Sequence, residues 1–325
     1  MKIALDAMGG DHAPGEIVRG ALDAATLLGV EVALVGGKHF LEVELARYSS
    51  PPDAITIVDA PQVVVMEESP INALRQKPKS SIMVGLDLVK AGKAAAFVTA
   101  GNTGATMAAA LMVLGRIEGV ERPALGSVLA TPAGPTLLLD VGANADCKPS
   151  FFPEFARLGK AYMERVFGIA DTRIALLSNG EEYVKGNHLV REAHELLKQA
   201  PINFLGNIES KDIPRGVAHV VISDGFTGNI VIKLLEGVSE TFMDILNQAL
   251  SLQFPAATSP LHNLWQEVER RLDYAEYGGA PLLGVNGVVV IAHGRSNAKA
   301  VKNAIRVAKQ EVEKDMLEAL RGARI

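Results

Sequence analysis

The chain has 325 residues, 48% of them hydrophobic and 5% aromatic, and a formal net charge of −5. This charge argues against general nucleic-acid binding, which needs a basic surface, and the single cysteine, Cys147, excludes a disulfide framework and indicates a reducing compartment. Residues 1–6 lack the apolar core of a secretory signal peptide, and the chain contains no run of about 18 apolar residues. The sequence therefore predicts a cytoplasmic protein without a membrane-spanning segment.

Short apolar runs alternate with amphipathic helical patterns along the whole chain. The predicted strands are 3–6, 32–35, 55–58, 95–99, 125–130, 136–140, 173–177, 202–205, 219–223 and 287–292, and the clearest predicted helices are 16–28, 80–90, 153–167 and 187–199. This alternation is typical of βαβ units in a mainly parallel sheet, whereas the turn at 131–135, with its prolines and glycine, predicts an antiparallel hairpin. The predicted fold is α/β, a three-layer α/β/α sandwich with a mainly parallel mixed sheet. It forms a single domain over 1–325, either continuous or two-lobed around a cleft.

Residues 245–266 contain no Asp, Glu, Lys or Arg. Apolar residues at helical spacing on both sides, with Pro255 and Pro260 between them, predict a protruding helical hairpin at about 236–277. The hairpin could pack on the body or on a second subunit, or its tip could contact a membrane surface, and a dimer that presents both tips would combine these roles. The apolar tip residues are Leu252, Phe254, Leu261 and Trp265. The tip lacks the basic residues that are usual in interfacial helices, which argues against the membrane role.

Two predicted strands lead through glycine- and asparagine-rich turns directly into helices, at 99–106 and at 223–229. Free backbone N–H groups at such a junction, together with the helix dipole, favour an anion. Two such turns in one chain predict a cleft for phosphate, and because neither matches a nucleotide motif the anion need not belong to a nucleotide. Lys185, just after another strand end, could neutralise phosphate or a developing oxyanion, although a lysine at such a junction is usually solvated.

Polar, glycine-rich loops follow five predicted strands, at Asp6, Asp140, Asn179, Asp224 and His293. In open α/β sheets ligands bind at the carboxyl ends of strands, so parallel strands would bring these loops to one edge of the sheet. The same residue types also cap helices and allow tight turns, but so many loops together favour a binding site. The loop residues predicted to bind phosphate or the rest of the substrate are Asp6, Gly9, Gly10, Thr103, Gly104, Asp140, Asn144, Asn179, Gly180, Asp224, Gly225 and Gly228.

Several common active-site motifs are absent from the sequence. It contains no dinucleotide, P-loop or serine-hydrolase signature, and its histidines show no metal-ligand spacing. Cys147 lacks a paired histidine, which makes it a bystander rather than a nucleophile in our interpretation. We therefore expect no metal and no cofactor.

Six motifs follow one another along the chain, at residues 6–11, 80–81, 100–105, 140–144, 179–182 and 224–229. Together they resemble the bacterial PlsX family of phosphate acyltransferases, over about residues 1–320. The resemblance implies transfer of a long-chain fatty acyl group from acyl carrier protein to inorganic phosphate. The acyl phosphate product then feeds phospholipid synthesis through a glycerol-3-phosphate acyltransferase.

The same resemblance implies a fold similar to the phosphotransacetylases and to the isocitrate/isopropylmalate dehydrogenase group. It also implies a homodimer that associates peripherally with the inner face of the cell membrane through the hairpin at 236–277. Lys185 and Asn229 match positions of the family's active site.

The residues fit that reaction. Phosphate that attacks a thioester needs no enzyme nucleophile, only positioning and stabilisation of a tetrahedral oxyanion. Backbone N–H groups near Gly104 and Gly228 could supply both, together with the candidate catalytic side chains of Asn102, Asn229 and Lys185. The acyl chain needs an apolar groove, for which the hairpin and the helix at 108–114 are candidates. The acidic carrier protein needs a basic patch, and the predicted patch is Arg75, Lys77 and Lys79.

Other functions stay open at this point. A short-chain phosphotransacetylase that uses coenzyme A would share the fold, but the uncharged hairpin would then have no role beyond dimerisation. A dehydrogenase of the same fold group would need an acidic metal site and would bind nicotinamide. A non-enzymatic scaffold would have no small-molecule site.

Overall fold

The protein is built around one sheet of eleven strands in the part of the chain that the computed structural model describes, residues 1–49, 52–253 and 278–322. The strands are β1 (Lys2–Asp6), β2 (Glu31–Gly36), β3 (Ile55–Asp59), β4 (Ala96–Thr99), β5 (Ala124–Thr131), β6 (Gly134–Leu139), β7 (Arg173–Leu177), β8 (Asn203–Ile208), β9 (Val220–Ile222), β10 (Ala280–Leu283) and β11 (Val288–Ile291). The helices are α1 (Gly15–Leu28), α2 (Lys38–Leu45), α3 (Pro70–Gln76), α4 (Ser81–Lys90), α5 (Thr103–Val113), α6 (Phe151–Phe167), α7 (His188–Gln199), α8 (Gly225–Gln253), α9 (Ala298–Glu313) and α10 (Met316–Gly322), with a 3₁₀ helix at Ser210–Arg215. All the predicted strands are present, β7 at its predicted bounds and the others with shifted ends, and β10 is an additional one.

The sheet contains two parallel groups of strands that point in opposite directions. Its order is β3-β2-β1-β4-β11-β10-β5-β6-β9-β7-β8. The strands from β3 to β11 in this order are parallel to one another, and so are those from β6 to β8. Between the groups, β10 pairs antiparallel with β11 and with β5, and β5 pairs antiparallel with β6. The mainly parallel mixed sheet and the β5–β6 hairpin are thus confirmed.

The opposite directions correct one prediction from the sequence. The five polar loops do not lie at one edge of the sheet, because those after Asp6 and at His293 belong to the first group, whereas those at Asp140, Asn179 and Asp224 belong to the second. The unpredicted strand β10 contributes to this reversal. Its first residues pair with β11 and its last residues pair with β5, so it is too short and too divided to produce a clear alternating pattern.

Helices cover both faces of the sheet, which confirms the three-layer arrangement. On one face a single core runs across both strand groups, from Val289 to Leu138 and Val221, beneath α4 and α5. On the other face the core is divided, with α1 and α9 over the first group and α6 and α7 over the second. Successive side chains of a strand point to opposite faces of the sheet. In β6, Leu138 therefore lies in the continuous core, and Leu137 and Leu139 lie on the opposite face.

The long helix α8 has three different faces. Val231, Ile232 and Leu235 pack against the continuous core. A second face carries polar side chains at the cavity described below. The third face is an exposed apolar stripe formed by Phe226, Ile230, Leu234, Val238, Phe242 and Ile245, each 50–63% exposed.

Helix α8 extends across the start of the predicted hairpin at 236–277. The described residues stop before the tip, so Phe254, Leu261, Trp265 and the side chain of Leu252 lie outside them, and the hairpin stays a prediction. Among the helices within the described ranges, none has both the length and the apolar character that crossing a membrane requires.

Candidate active site

A cavity of about 500 Å³ lies where the two strand groups meet, between α8, β5 and the adjoining ends of β10 and β11. Its polar lining residues are Asp11, Thr103, Ser127, Asn229, Lys233, Glu236, Ser239 and His293. Its other lining residues are Met66, Leu125, Val128, Leu129, Ala130, Val141, Pro214, Ile232, Leu235, Gly278, Gly279, Ala280, Ile291, Ala292 and Gly294. Apolar walls with a small number of convergent polar groups are typical of a small-molecule site. Of the residues predicted for catalysis or for phosphate and substrate binding, Thr103 and Asn229 line this cavity.

The buried carboxylate of Asp6 fastens the loop after β1 to the loop after β4. Its Oδ1 accepts the N–H of Met8 at 3.1 Å, and its Oδ2 accepts the hydroxyl of Thr99 at 2.8 Å. Burial raises the pKa of Asp6, and its hydrogen bonds oppose that rise. A Cβ on Gly9 would lie only 2.7 Å from the nitrogen of Gly101, so the close approach of the two loops requires glycine.

The next two residues connect this turn to the cavity. Gly10 adopts a φ of 98°, which favours glycine. The N–H of Asp11 then donates to the carbonyl of Gly294 at 2.8 Å. Gly9 and Gly10 therefore lie beneath the site, and they bring Asp11 and the loop after β11 to its wall.

Asp140 organises the second strand group in the same way. Its Oδ1 accepts the N–H groups of Leu125, Gly142 and Ala143 at 2.9–3.1 Å. Its Oδ2 accepts the backbone and side-chain N–H groups of Asn144 at 2.7 and 2.9 Å. Burial raises the pKa of Asp140, and these hydrogen bonds oppose the rise. The carboxylate is thus occupied in shaping the loop after β6, and it does not line the cavity.

The loop after β6 receives the first turn of α8. Asp224 caps this helix by accepting the N–H and the hydroxyl of Thr227, both at 2.8 Å. The N–H of Gly225 donates to the carbonyl of Asn144 at 2.8 Å. Gly228 is in even closer contact, because a Cβ there would lie 1.9 Å from the carbonyl oxygen of Asp140.

Asn229 is positioned by this contact between loop and helix. Its Nδ2 donates to the carbonyl of Val141 at 2.9 Å. Both residues line the cavity. The predicted catalytic asparagine therefore lies at the cavity, held there by the glycine-rich start of α8.

Asn102 has a different position from the one predicted. As the N-cap of α5, its Oδ1 accepts the N–H of Ala105 at 2.9 Å, and its Nδ2 donates to the carbonyl of Met66 at 2.9 Å. It is buried and does not line the cavity, whereas Met66 and the following Thr103 do. Gly104 lies against Pro70 instead, since a Cβ there would be 2.9 Å from the proline Cγ.

Lys185 and the turn at Asn179 lie apart from the cavity walls. The Oδ1 of Asn179 accepts the N–H of Gly186 at 2.8 Å, which closes the loop. The exposed Lys185 runs over Gly180, where a Cβ would lie 2.7 Å from the lysine Cγ. The structure therefore does not bring Lys185 together with Asn229 at the cavity.

The described residues contain one cluster of carboxylates that the sequence spacing did not suggest. Oxygen atoms of Glu181, Glu209 and Asp212 lie within 4.8 Å of one another. Lys211 pairs with Glu209, and Arg215 lies 3.5 Å from Asp212. These cations already compensate much of the negative charge.

The predicted basic patch lies on and just after α3, next to the loop that contains Met66. The ammonium group of Lys77 donates to the carbonyl of Val63 and to the carboxylate of Glu68, each at 2.7 Å. Lys77 therefore holds this loop, while Arg75 and Lys79 are exposed.

Helix α8 contributes residues that the sequence analysis did not select. Lys233, Glu236 and Ser239 line the cavity together with Asn229. They follow Asn229 by four, seven and ten positions, a helical spacing that could have shown their shared face. The pKa of Glu236 is raised by burial and lowered by the nearby His293 and Arg295, with burial the larger effect.

Cys147 is unsuited to nucleophilic catalysis. Burial and the surrounding carboxylates raise the pKa of its thiol to about 12, and the thiol donates to the carbonyl of Asn144 at 3.4 Å. Since the thiolate is the reactive form, these contacts support the interpretation as a bystander.

Two of the most similar structures are phosphotransacetylases. The enzyme from Streptococcus pyogenes has a TM-score of 0.63 at 19% identity, with 96% of this chain and 94% of that one covered. The EutD phosphotransacetylase from Staphylococcus aureus has a TM-score of 0.59 at 18% identity, with 95% and 94% covered. A 4-hydroxythreonine-4-phosphate dehydrogenase from Klebsiella pneumoniae has a TM-score of 0.57 at 15% identity, with 96% and 99% covered. These similarities confirm the phosphotransacetylase-like fold.

Sequence relatives are much closer. A phosphate acyltransferase from Heliobacterium modesticaldum is 50% identical over 323 residues, which are 98% of this chain and 96% of the relative. A phosphate acyltransferase from Desulforamulus reducens is 48% identical over 322 residues, with 99% and 96% covered. The sequence profile described as "fatty acid synthesis protein" matches residues 1–319. The chain therefore belongs to the family of phosphate acyltransferases described as fatty acid synthesis proteins.

Proposed function

We propose that this protein transfers a long-chain fatty acyl group from acyl carrier protein to inorganic phosphate and so produces acyl phosphate for phospholipid synthesis. The observation that carries the proposal is the 48–50% identity to phosphate acyltransferases over almost the whole chain. The cavity supports it, because apolar walls and convergent polar groups suit an acyl thioester and an anion.

In this mechanism bound phosphate attacks the thioester carbonyl directly. Thr103, Asn229 and Lys233 line the cavity and would hold the anion and the tetrahedral oxyanion. Apolar walls formed by residues such as Val128 and Ile232 would receive the acyl chain. Holding both reactants in place can contribute about 7–11 kcal/mol of the barrier. No enzyme nucleophile is needed, in keeping with the high pKa of the Cys147 thiol.

The other predicted site residues would act from beneath or beside the cavity. Asp6 and Asp140 fasten the loops, and Asn102 holds the loop at Met66 through its Nδ2. Lys185 belongs to the proposal on the family resemblance alone, since its side chain is not among those lining the cavity.

The acyl carrier protein would dock on the basic patch beside the cavity. Arg75 and Lys79 are exposed there, and Lys77 orders the adjoining loop, from which Met66 reaches the cavity wall. Positive charge at this position complements an acidic carrier and steers its approach.

We also propose a homodimer in which the exposed apolar stripe of α8 faces a second copy of the chain. Six large apolar side chains on one helix face are more than scattered surface residues would explain. The hairpin at 236–277 would then present its tip to the inner face of the cell membrane, close to the glycerol-3-phosphate acyltransferase that consumes the product.

A charge in the stripe should dissociate the dimer. We expect Leu234→Asp to shift the protein to a monomer at micromolar concentration, because the aspartate would be buried without a partner in the interface. Sedimentation velocity measures the change. Leu27→Asp is the matched control, since Leu27 is 68% exposed on α1 and Leu234 is 63% exposed on α8. A wild-type protein that is monomeric under the same conditions would contradict the proposal.

The reaction itself is tested by trapping acyl phosphate with hydroxylamine. We expect wild type to form acyl hydroxamate from a long-chain acyl carrier protein only when phosphate is present. Asn229→Ala should lower kcat by roughly 10²–10³-fold, the usual loss for one oxyanion-stabilising donor. Lys185→Ala, measured in parallel, tests the residue that the cavity does not include.

The choice of donor distinguishes the alternatives. Product from acyl-coenzyme A but not from the carrier protein would indicate a phosphotransacetylase. No phosphate-dependent product from either donor would reject acyl transfer.

A further inference from the structure

The polar face of α8 brings one carboxylate, that of Glu236, to the cavity wall. Asn229, Lys233 and Glu236 share this face and all line the cavity. Glu236 is half-buried and, within the described part of the chain, accepts no hydrogen bond. Its carboxylate therefore lines the cavity without holding any other group of the described residues in place.

The charged groups around Glu236 come from two elements. Lys233 and Glu240 lie on its own helix, while His293 and Arg295 lie on the loop after β11. Arg295 is 3.5 Å from Glu240, so its guanidinium is shared with that second carboxylate. Burial has the largest effect on Glu236, and its pKa is raised above 4.5 despite the three neighbouring cationic or basic groups. A raised pKa makes the carboxylate a stronger base, and the carboxylic acid that it forms can return the proton.

The other candidates for proton transfer at this cavity fit less well. The Nδ1 of His293 accepts the N–H of Arg295 at 3.1 Å, so that nitrogen is already occupied. Asp11 also lines the cavity, but it is exposed to solvent.

The proposed reaction requires one proton to move. When an oxygen of hydrogen phosphate forms a bond to the thioester carbon, the carbon–sulfur bond breaks and its electron pair goes to sulfur. The phosphate hydroxyl loses its proton, and the departing thiolate gains one. The overall reaction neither consumes nor releases a proton, so a single group that accepts it and passes it on is sufficient.

We propose that Glu236 is this group: its carboxylate takes the proton from the phosphate hydroxyl during attack and delivers it to the sulfur of the departing carrier thiol. The inference rests on the proposed acyl transfer to phosphate. Lys233, one turn before it, holds the phosphate within reach.

Glu236→Gln tests the relay, because glutamine keeps the shape and removes the proton-accepting oxygen. We expect kcat to fall by roughly 10²–10⁴-fold, the usual contribution of general acid–base catalysis, without a rise in the KM for phosphate. Glu236→Asp should recover part of the loss, since it keeps a carboxylate. Glu240→Gln, on the next turn, is the matched control and should stay close to wild type.

The pH profile separates a relay from a structural role. In wild type kcat should fall as the pH drops through the pKa of Glu236, because the protonated form cannot accept the phosphate proton. The ratio of wild-type to Glu236→Gln activity should therefore shrink toward acidic pH. A glutamine variant within tenfold of wild type, or one altered only in the KM for phosphate, would overturn the relay. Wild type without phosphate-dependent product would instead refute the proposed function.

Discussion

We expect Gly228→Ala to remove activity and to destabilise the protein by about 3 kcal/mol or more. This energy is in the upper range for placing extra atoms in a tightly packed position. A Cβ at this position would lie 1.9 Å from the carbonyl oxygen of Asp140. That carbonyl cannot easily retreat, because the Asp140 side chain holds Leu125 and Asn144 around it. The first turn of α8 would move away instead, and Asn229 would leave the cavity with it. Urea unfolding and the acyl hydroxamate assay measure the two effects.

Gly237→Ala provides the control on the same helix. A Cβ at this position meets nothing within 4 Å, so alanine should stabilise α8 by up to about 1 kcal/mol through its higher helix propensity. If Gly228→Ala lowers the free energy of unfolding and Gly237→Ala raises it, the cause of the destabilisation is the close approach of α8 to Asp140. Replacing a helical glycine would not by itself explain it. Equal effects at the two positions would contradict this explanation.

We expect Glu311→Gln to remove a loss of stability that develops as the pH rises from about 5 to about 8. Glu311 is 3% exposed on α9, and its Oε1 has no hydrogen-bond partner in the described ranges. Burial raises the pKa of this carboxyl to about 8, from an ordinary value of 4.5. Each unit of such a rise corresponds to about 1.4 kcal/mol, so ionising Glu311 in the folded protein costs on the order of 5 kcal/mol more than in the unfolded chain.

The raised pKa of Glu311 determines how the stability of the protein changes with pH. The protonated, buried Glu311 contributes its full stability below pH 4.5, and this contribution is lost as the pH rises through about 8. The difference in unfolding free energy between Glu311→Gln and wild type should therefore grow in favour of the variant from pH 5 to pH 9. Chemical unfolding at several pH values measures it.

Glu313 is the matched control for this measurement. It lies on the same helix, is exposed, and sits 3.6 Å from Lys309. Glu313→Gln should show little change with pH, because a surface ion pair contributes only about 0–1 kcal/mol. A pH-independent difference for Glu311→Gln would mean that Glu311 has the same pKa in the folded and the unfolded protein, and it would contradict the raised pKa.

Local sequence patterns predicted most elements of the fold. Alternating and helical periodicities placed strands such as β7 and helices such as α7 near their observed ends. Asn102 and Asn187 mark the starts of α5 and α7 because their side chains accept backbone N–H groups there, at Ala105 and Val190. Gly9 and Gly228 were predicted from the glycine-rich motifs as substrate-binding residues, whereas the structure shows close approaches of the backbone at both positions.

The roles of the motif residues needed the structure. Asp6 and Asp140 stand out in the sequence as strand-end carboxylates, but both are buried and bonded to the loops that they shape. Glu236 drew no attention in the sequence, because a charged residue within a helix usually faces solvent. Only the arrangement of α8 beside β5 and β11 shows that its polar face lines a cavity.

For this protein the sequence alone determined the α/β class, the hairpin of β5 and β6 and the family resemblance, because strand alternation, turn chemistry and ordered motifs are properties of neighbouring residues. The tertiary structure decided the opposite directions of the two strand groups, the place of β10 between them and the cavity at their junction. Those features depend on pairing between segments far apart in the chain, such as Ala280 with Ile291 and Leu282 with Leu125. No local pattern encodes such pairing, so the cavity that unites Thr103, Asn229 and Glu236 appears only when the sheet is assembled.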